Sequence, residues 1–476
     1  MIKVTEYAGR DVAVYGLGRT GLAAARALQA GGARVHAWDD GDTARAKAES
    51  LGINVSDINK RDWQKFAALV LSPGIPLTHP QPHRLVRLAE MTGVPVIGDT
   101  ELFARAVQAL PEKGRPRVVG ITGTNGKSTT TALVGHILTE AGIDARVGGN
   151  IGTGVLDMEP LSANAVYVLE LSSYQLDLTE SLRCDVAVFL NLSPDHLDRH
   201  GGLDGYIKAK TRIFANQKAT DAAVIGIDDS VTQALAMGST RPGAARVMPV
   251  SSQFGLARGV SAVGGHLHDS LGGHSLRVGH LSEAPALPGV HNAQNAAAAY
   301  AVCRALGLPP ATIMQGLRSF PGLAHRMEQV GEVDGVRFIN DSKATNAEAA
   351  QQALNTFNRI HWIAGGVAKA EGIAPLAPWF DRLAGAYLIG ESAEAFAKTI
   401  GSAAPVQSIG TLEAATHAAF AAAKASGDSN PVVLLSPACA SFDQFKDFEA
   451  RGDAFRAIVA ELAEAADNAP QQAVVG

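Results

Sequence analysis

One stretch, Val118 to Thr130, constrains this chain more than any other: Val-Val-Gly-Ile-Thr-Gly-Thr-Asn-Gly-Lys-Ser-Thr-Thr. A β-branched run enters a Gly-rich turn. Leu133, Val134, Ile137 and Leu138 leave it at helical spacing, and Gly142 follows as a helix stop. Strand, loop and helix in that order make an anion cradle, because the loop N–H groups and the positive end of the helix dipole face one point. Lys127 is placed to reach the β- and γ-phosphates of a nucleotide, and the Ser128 hydroxyl to ligate magnesium. Ile121 stands where the general G-x-x-x-x-G-K-[ST] pattern has its first Gly. An ordinary Gly-rich βα turn, however, does not need Lys-Ser-Thr directly after its last Gly.

Upstream, Val12 to Tyr15 reads as a buried strand running into Gly16-Leu17-Gly18-Arg19-Thr20-Gly21. A helix ending near Gly31 and Gly32 follows, then a strand from Arg34 to Trp38 closed by Asp39. This is a G-x-G-x-x-G fingerprint with an acid some twenty residues on, which places a nucleotide phosphate on a helix N-terminus without specifying NAD. Ala68 to Leu71 reads as a strand leading to Ser72-Pro73-Gly74, at the sheet edge where doubly wound folds bind ligands. Pro95 to Asp99 reads as a further strand, and Pro111 to Pro116 as a linker.

Downstream of the phosphate loop, Gly148 to Gly152 is a second Gly-rich turn containing Asn150. Ala165 to Leu169 reads as a strand ending in Glu170, and Val186 to Leu192 as one that leads to His196. Either residue alone could be an exposed loop residue. Together, on successive strand ends beyond a phosphate loop, they point to metal or phosphate contact. In the next helix Tyr206, Ile207, Ile213 and Phe214 form an apolar stripe with Lys210 in its middle, while Lys208 and Arg212 lie off it. An amine on a core face must snorkel, pair or change protonation, and a neutral lysine can take up carbon dioxide as an acidic carbamate. Residues 236–290 read as short strands and loops. Asn292 and Asn295 then open an Ala-rich helix, where they either cap it or read a flat heteroaromatic ring such as adenine.

Beyond a joint at Phe320 to Arg326, strands and helices alternate again. Val336 to Ile339 leads to the polar loop Asn340 to Asn346, His361 to Ala364 to Gly365-Gly366-Val367-Ala368-Lys369, and Val432 to Leu435 to a loop running through Ser441. At 476 residues the chain exceeds one core. The expected architecture is α/β in three domains: residues 1–110 Rossmann-like, 111–320 a P-loop ATPase-like parallel sheet, and 321–476 again Rossmann-like. A net charge of −5 without basic blocks argues against nucleic acid. Cys184, Cys303 and Cys439 are too dispersed for a metal pair and suit a reduced cytoplasmic protein. No signal peptide or membrane span is expected, and the last ten residues should fray.

These motifs resemble those of the Mur ligase family, the ATP-dependent amide-forming enzymes of cell-wall precursor synthesis. Thr122 to Thr129 is that family's own loop variant. Residues 170–175, 340–346 and 435–448 also match, within a resemblance that runs from about residue 10 to residue 460. The central motifs are shared with other members, folylpolyglutamate synthase among them, and the C-terminal ones are more specific. The resemblance implies D-glutamate addition to UDP-N-acetylmuramoyl-L-alanine through an acyl phosphate, with ATP and two magnesium ions, by a monomeric cytoplasmic protein. It implies that Gly123, Thr124, Asn125, Gly126, Lys127, Ser128 and Thr129 hold ATP phosphates. Glu170 and His196 would handle magnesium, Lys210 would be carbamylated, and Asn150 would sit near the reacting carboxylate. Asn292 and Asn295 would face adenine, and Arg326 and Asp341 would bind the nucleotide. Thr20, Gly21, Asp39, Ser72 and Gly74 would hold the UDP end of the sugar nucleotide. Lys343, Thr345, Lys369, Ser441 and Phe448 would form the D-glutamate pocket. Two positions depart from the family pattern: Arg19, where an apolar residue is expected, and Val367-Ala368, where Asp-Gly is expected.

Three rivals stand against this reading. A nicotinamide-dependent oxidoreductase built on Gly16 to Gly21 leaves Lys127, Glu170, His196 and Lys210 unexplained. A sister ligase with another amino acid or folate is opposed by the C-terminal loops. A nucleotide-switch binding module does not need two Gly-rich sites and a third α/β domain.

Overall fold

The computed structural model describes residues 1–238, 244–369 and 371–467, so the expected fraying of the tail lies outside the described residues. The chain divides into two compact units, Met1–Phe320 and Pro321–Gly476. Among the described residues the strands form three sheets, two in the first unit and one in the second.

The first sheet is wholly parallel, with β1 (Asp11–Tyr15), β2 (Arg34–Trp38), β3 (Phe66–Leu71) and β4 (Val96–Ile97) in the order β2-β1-β3-β4. Its fingerprint helix spans Arg19–Ala30 and is capped by Gly31, where a Cβ would run into the Val4 carbonyl. Gly21 is obligatory, since a Cβ there would run into the Gly16 carbonyl. The expected strand Pro95 to Asp99 is shorter than its sequence suggests. Asp99 instead opens the helix Asp99–Gln108, where a buried acid in the first turn suits the helix dipole.

The second sheet contains β5 (Arg117–Thr122), β6 (Ala145–Gly149), β7 (Val166–Glu170), β8 (Val186–Phe189), β9 (Ala222–Gly226), β10 (Arg246–Ser251), β11 (Val260–Val263), β12 (His266–Asp269) and β13 (Leu276–His280). Its order is β13-β12-β11-β10-β9-β8-β5-β7-β6, parallel from β6 to β11, with an antiparallel meander of β11, β12 and β13 at one edge. The phosphate-loop strand β5 therefore lies between β7 and β8, so the segments leaving those two strands flank the loop. Strand β8 stops at Phe189, short of the expected Leu192, because Asn191 turns its groups onto the phosphate loop. The helix Lys127–Glu140 packs against the long helix Val290–Ala305, in which Ala296 to Cys303 are fully buried. Val119, Ile121, Leu133, Val134, Ile137 and Leu138 are all 0% exposed, so each contributes about 1.5–3 kcal/mol to a rigid mount for the loop.

The third sheet contains β14 (Glu328–Val333), β15 (Val336–Asn340), β16 (Ile360–Gly365), β17 (Leu383–Ile389), β18 (Val406–Gly410) and β19 (Val432–Leu435), in the order β14-β15-β19-β16-β17-β18. It is parallel except for the β14–β15 hairpin. The polar loops singled out in the sequence leave the carboxyl ends of the neighbouring strands β15, β19 and β16.

Candidate active site

The phosphate loop is held by its glycine cap and by the segment that leaves β8. Gly126 caps the helix Lys127–Glu140 at φ +83°, and a Cβ there would collide with Asn295 Oδ1, so only glycine fits. Thr124 N donates to Asn191 O at 2.9 Å and Asn125 N to Asn191 Oδ1 at 2.9 Å. Lys127 Nζ donates to the loop's own carbonyls, Gly123 O at 3.0 Å and Thr124 O at 2.7 Å. Ser128 and Thr129 are buried in the first helical turn.

Next to this loop, β7 ends on Glu170, which is 3% exposed. Asn150 crosses from the end of β6: its backbone N–H donates to Glu170 O at 2.9 Å and its Nδ2 to Glu170 Oε1 at 2.8 Å. Glu170 Oε2 is buried with no hydrogen-bond partner. A buried carboxylate oxygen left open is costly unless something cationic takes it. Among the described residues no group of three or more His, Cys, Asp or Glu converges into a protein-only metal cage. A carboxylate oxygen, a serine hydroxyl and substrate phosphates are the kind of oxygen donors that suit magnesium.

His196 lies beyond β8 in the left-handed region (φ +51°), with 48% of its side chain exposed and its Nε2 3.4 Å from Asp195 Oδ2. Its ring sits 5.0 Å from Tyr174, which in turn stacks on His200. Lys210 is buried at 1% exposure, so of the alternatives the stripe leaves open it does not snorkel. Its Nζ donates to Gly123 O at 2.7 Å and lies 4.8 Å over the Tyr206 ring. Burial holds its pKa well below the ordinary lysine value and the Lys127 charge depresses it further, while Asp195 and Glu170 oppose this.

Asn292 and Asn295 do not cap their helix; Gly289 does. Asn292 Nδ2 donates to Pro288 O at 2.7 Å. Asn295 Nδ2 donates to Asn292 Oδ1 at 3.0 Å, and Asn295 Oδ1 accepts from the Thr130 hydroxyl at 3.3 Å. Sequence reasoning missed a supporting chain beside them. Asn191 Nδ2 donates to Gln294 Oε1 at 2.9 Å, and Gln294 Nε2 to Asp228 Oδ2 at 3.0 Å. The only signal was three amide or acid residues at the ends of β8, β9 and a helix, which sequence alone does not bring together.

In the first sheet, Asp39 accepts Leu17 N at 2.7 Å and Gly41 N at 2.8 Å, so its carboxylate fixes the fingerprint loop. Ser72 Oγ donates to Gly16 O at 2.7 Å. Thr20 and Gly21 form the first turn of the helix below that loop. Gly74 O accepts Arg199 Nη1 at 2.8 Å.

In the second unit, Asp341 is buried and accepts Ser436 Oγ at 2.8 Å and Met327 N at 3.2 Å. Burial raises its pKa to about 7, against the lowering effects of the Ser436 hydrogen bond and the Arg326 charge. Arg326 Nε is buried without a partner. Lys343 Nζ lies 5.5 Å over the Phe448 ring, and Lys343 O accepts Thr345 N at 2.9 Å. Ser441 is buried, and its carbonyl accepts Gln444 N at 3.1 Å and Phe445 N at 2.8 Å. Lys369 is exposed, on a loop zipped to the Ser441 segment by reciprocal Val367–Ala440 hydrogen bonds. The structure thus gathers Lys343, Thr345 and Phe448, and it ties the Lys369 and Ser441 loops together.

Three family models match the chain in succession: the Mur ligase MurD-like N-terminal domain at residues 10–98, the Mur ligase middle domain at 121–303, and the Mur ligase glutamate ligase domain at 325–439. The UDP-N-acetylmuramoylalanine–D-glutamate ligase of Caulobacter sp. (strain K31) is 57% identical over 466 residues, covering 98% of this chain and 99% of that protein. The protein of the same name from Phenylobacterium zucineum is 55% identical, with 98% and 99% covered. Among solved structures, UDP-N-acetylmuramate–alanine ligase of Thermotoga maritima aligns with TM-score 0.55 at 19% identity, covering 95% of this chain and 99% of that one. MurF of Acinetobacter baumannii aligns at 0.54 and 19%, covering 78% and 81%. At such identity the two structures speak for the fold alone. The near-full-length relatives and the succession of three family models settle the lineage: the chain belongs to the Mur ligase family.

Proposed function

We propose that this chain joins the amine of D-glutamate to the alanyl carboxylate of UDP-N-acetylmuramoyl-L-alanine, with ATP cleaved to ADP and phosphate. It would do so as a cytoplasmic monomer in peptidoglycan precursor synthesis. The observation that carries the reading is a phosphate loop beside a buried glutamate with one open oxygen, in a chain 57% identical to a protein of that name. Residues 1–110 would take the sugar nucleotide through Thr20, Gly21, Asp39, Ser72 and Gly74, residues 111–320 the ATP, and residues 321–476 the amino acid.

A carboxylate is a poor acyl donor and must first be activated. Its oxygen attacks the γ-phosphorus, the bond to the ADP oxygen breaks, and an acyl phosphate forms. Lys127 would exchange its two loop carbonyls for phosphate oxygens as charge builds there. Magnesium, when bound, neutralises part of that charge, held by Ser128, Glu170 and His196. Asn150 would fix the Glu170 carboxylate through Oε1, leaving Oε2 to ligate. Lys210, in its neutral amine form, would add carbon dioxide, forming an N–C bond and releasing one proton, and so place a carbamate anion beside the loop. Asn292, Asn295, Arg326 and Asp341 would serve the nucleotide. Lys343, Thr345, Lys369, Ser441 and Phe448 would hold D-glutamate. Its amine then attacks the acyl carbon, the C–N bond forms, and phosphate leaves with the amine proton.

Labelling the alanyl carboxylate with oxygen-18 tests the activation step. One labelled oxygen should appear in the released phosphate; unlabelled phosphate would exclude an acyl phosphate.

A further inference from the structure

Arg19 lies within the fingerprint loop of the first sheet, yet its side chain serves the second. It is the first residue of the helix Arg19–Ala30, so its backbone belongs to the N-terminus where a phosphate would dock. Its guanidinium leaves that loop and donates through Nη1 to Gly152 O at 2.8 Å, with Nη2 at 3.5 Å from Asn150 O. These two carbonyls belong to the turn that carries Asn150, which is closed by Gly149 N donating to Thr153 O at 2.9 Å. From that turn Asn150 fixes Glu170 through both its backbone and its side chain.

The tie is not an isolated surface contact. Arg26, two turns along the same helix, reaches Asp157 Oδ1 at 3.6 Å, and Ile2 N donates to Leu156 O at 2.9 Å. The strap after Asn150 is therefore anchored to the first sheet's layer at several points, and Arg19 holds its tip. A planar fork with several donors is suited to gripping successive carbonyls; leucine has no donor, and lysine has donors but no fork.

We propose that Arg19 is a positioning residue, a single side chain through which the sugar-nucleotide loop holds the Asn150–Gly152 turn and so sets the open oxygen of Glu170 for magnesium. This rests on the proposed magnesium role of Glu170. It adds to that role a link from the loop of one ligand to the metal ligand of the other. The coupling is contiguous: loop 16–21, Arg19, turn 150–152, Asn150, Glu170.

The test is equilibrium binding of a non-hydrolysable ATP analogue to the full chain, with and without magnesium, for the native protein and for Arg19→Leu, Arg19→Lys and Arg26→Ala. Arg19→Leu should bind the analogue without magnesium within about twofold of native, while the tightening produced by magnesium shrinks at least fivefold. Arg19→Lys should recover part of it, and Arg26→Ala, which breaks only the outer anchor, should keep all of it. Equal magnesium tightening in native and Arg19→Leu protein would overturn the proposal, as would an equal loss in Arg26→Ala, which would mark a merely structural tie. The readout does not depend on which amino acid is added. A wrong D-glutamate assignment therefore leaves it intact, whereas no magnesium tightening in the native chain would refute the magnesium role and the proposal together.

Discussion

Asn150 donates its side-chain amide to Glu170 Oε1 at 2.8 Å, and the other oxygen of that carboxylate is buried and open. One oxygen is fixed by protein so that the other keeps a single direction. Asn150→Ala should let the carboxylate rotate and should raise the magnesium concentration for half-maximal rate by about 10–100-fold, the usual cost of losing a group that orients a metal ligand. Magnesium titration of initial rates checks this; an unchanged titration would remove Asn150 from the site.

Lys127 Nζ donates to two carbonyls of its own loop, Gly123 O at 3.0 Å and Thr124 O at 2.7 Å. An ammonium held at the loop is placed where the phosphates of a nucleotide would dock. Lys127→Ala should lower turnover by about 10²–10³-fold, as removal of one transition-state donor does. Near-native turnover in a steady-state assay would contradict the loop's role.

Lys210 is 1% exposed and sits against Gly123 O, so removing its side chain leaves a hole beside the loop. Lys210→Ala should be inactive but folded, and a short carboxylic acid should restore part of the rate by occupying the place of a carbamate. Rescue by short amines and not by acids would show that the cation, not the carbamate, is the working form.

Much of this was legible in the sequence because the signals are local. A strand, a Gly-rich turn and a helix encode the phosphate loop within thirteen residues, and the stripe around Lys210 puts that lysine on a core face, where snorkelling stays open until the structure shows it buried. The fingerprint loop and the carboxyl-edge position of Glu170 follow from the same logic. What the sequence hid is long-range. Asn191, Gln294 and Asp228 converge only because β8 and β9 are neighbours and the helix Val290–Ala305 crosses them. Asp39 reads as a ligand acid, and the sequence does not show that its two oxygens also accept backbone N–H groups two and twenty-two residues away. Asp99 failed as a strand end because two apolar residues before a glycine do not say where a strand stops.

Asp341 links pH to stability. Its carboxyl, raised to about 7 by burial, keeps a proton that the unfolded chain releases near pH 4. The folded form binds more protons in that window, so its contribution is full below about pH 4 and is lost as pH rises toward 7. At about 1.4 kcal/mol per pKa unit, the loss is on the order of 2–4 kcal/mol. Asp341→Asn should flatten that decline. Denaturant unfolding of native and variant protein at pH 4.5 and 8 checks it, and parallel declines would contradict the buried-proton account. Asp341→Ala, if it stays folded, should also raise the KM for ATP; an unchanged ATP dependence would remove Asp341 from the nucleotide site.

Nucleotide cleavage should be coupled to one amino acid. ADP release by the purified chain with magnesium, ATP and UDP-N-acetylmuramoyl-L-alanine should be measured with D-glutamate, L-glutamate, L-alanine and meso-diaminopimelate in turn. Release with D-glutamate alone is the predicted result. Release with another amino acid would keep the phosphate-loop chemistry and contradict the pocket assigned to Lys343, Thr345, Lys369, Ser441 and Phe448; no release with any of them would contradict the sugar-nucleotide assignment as well.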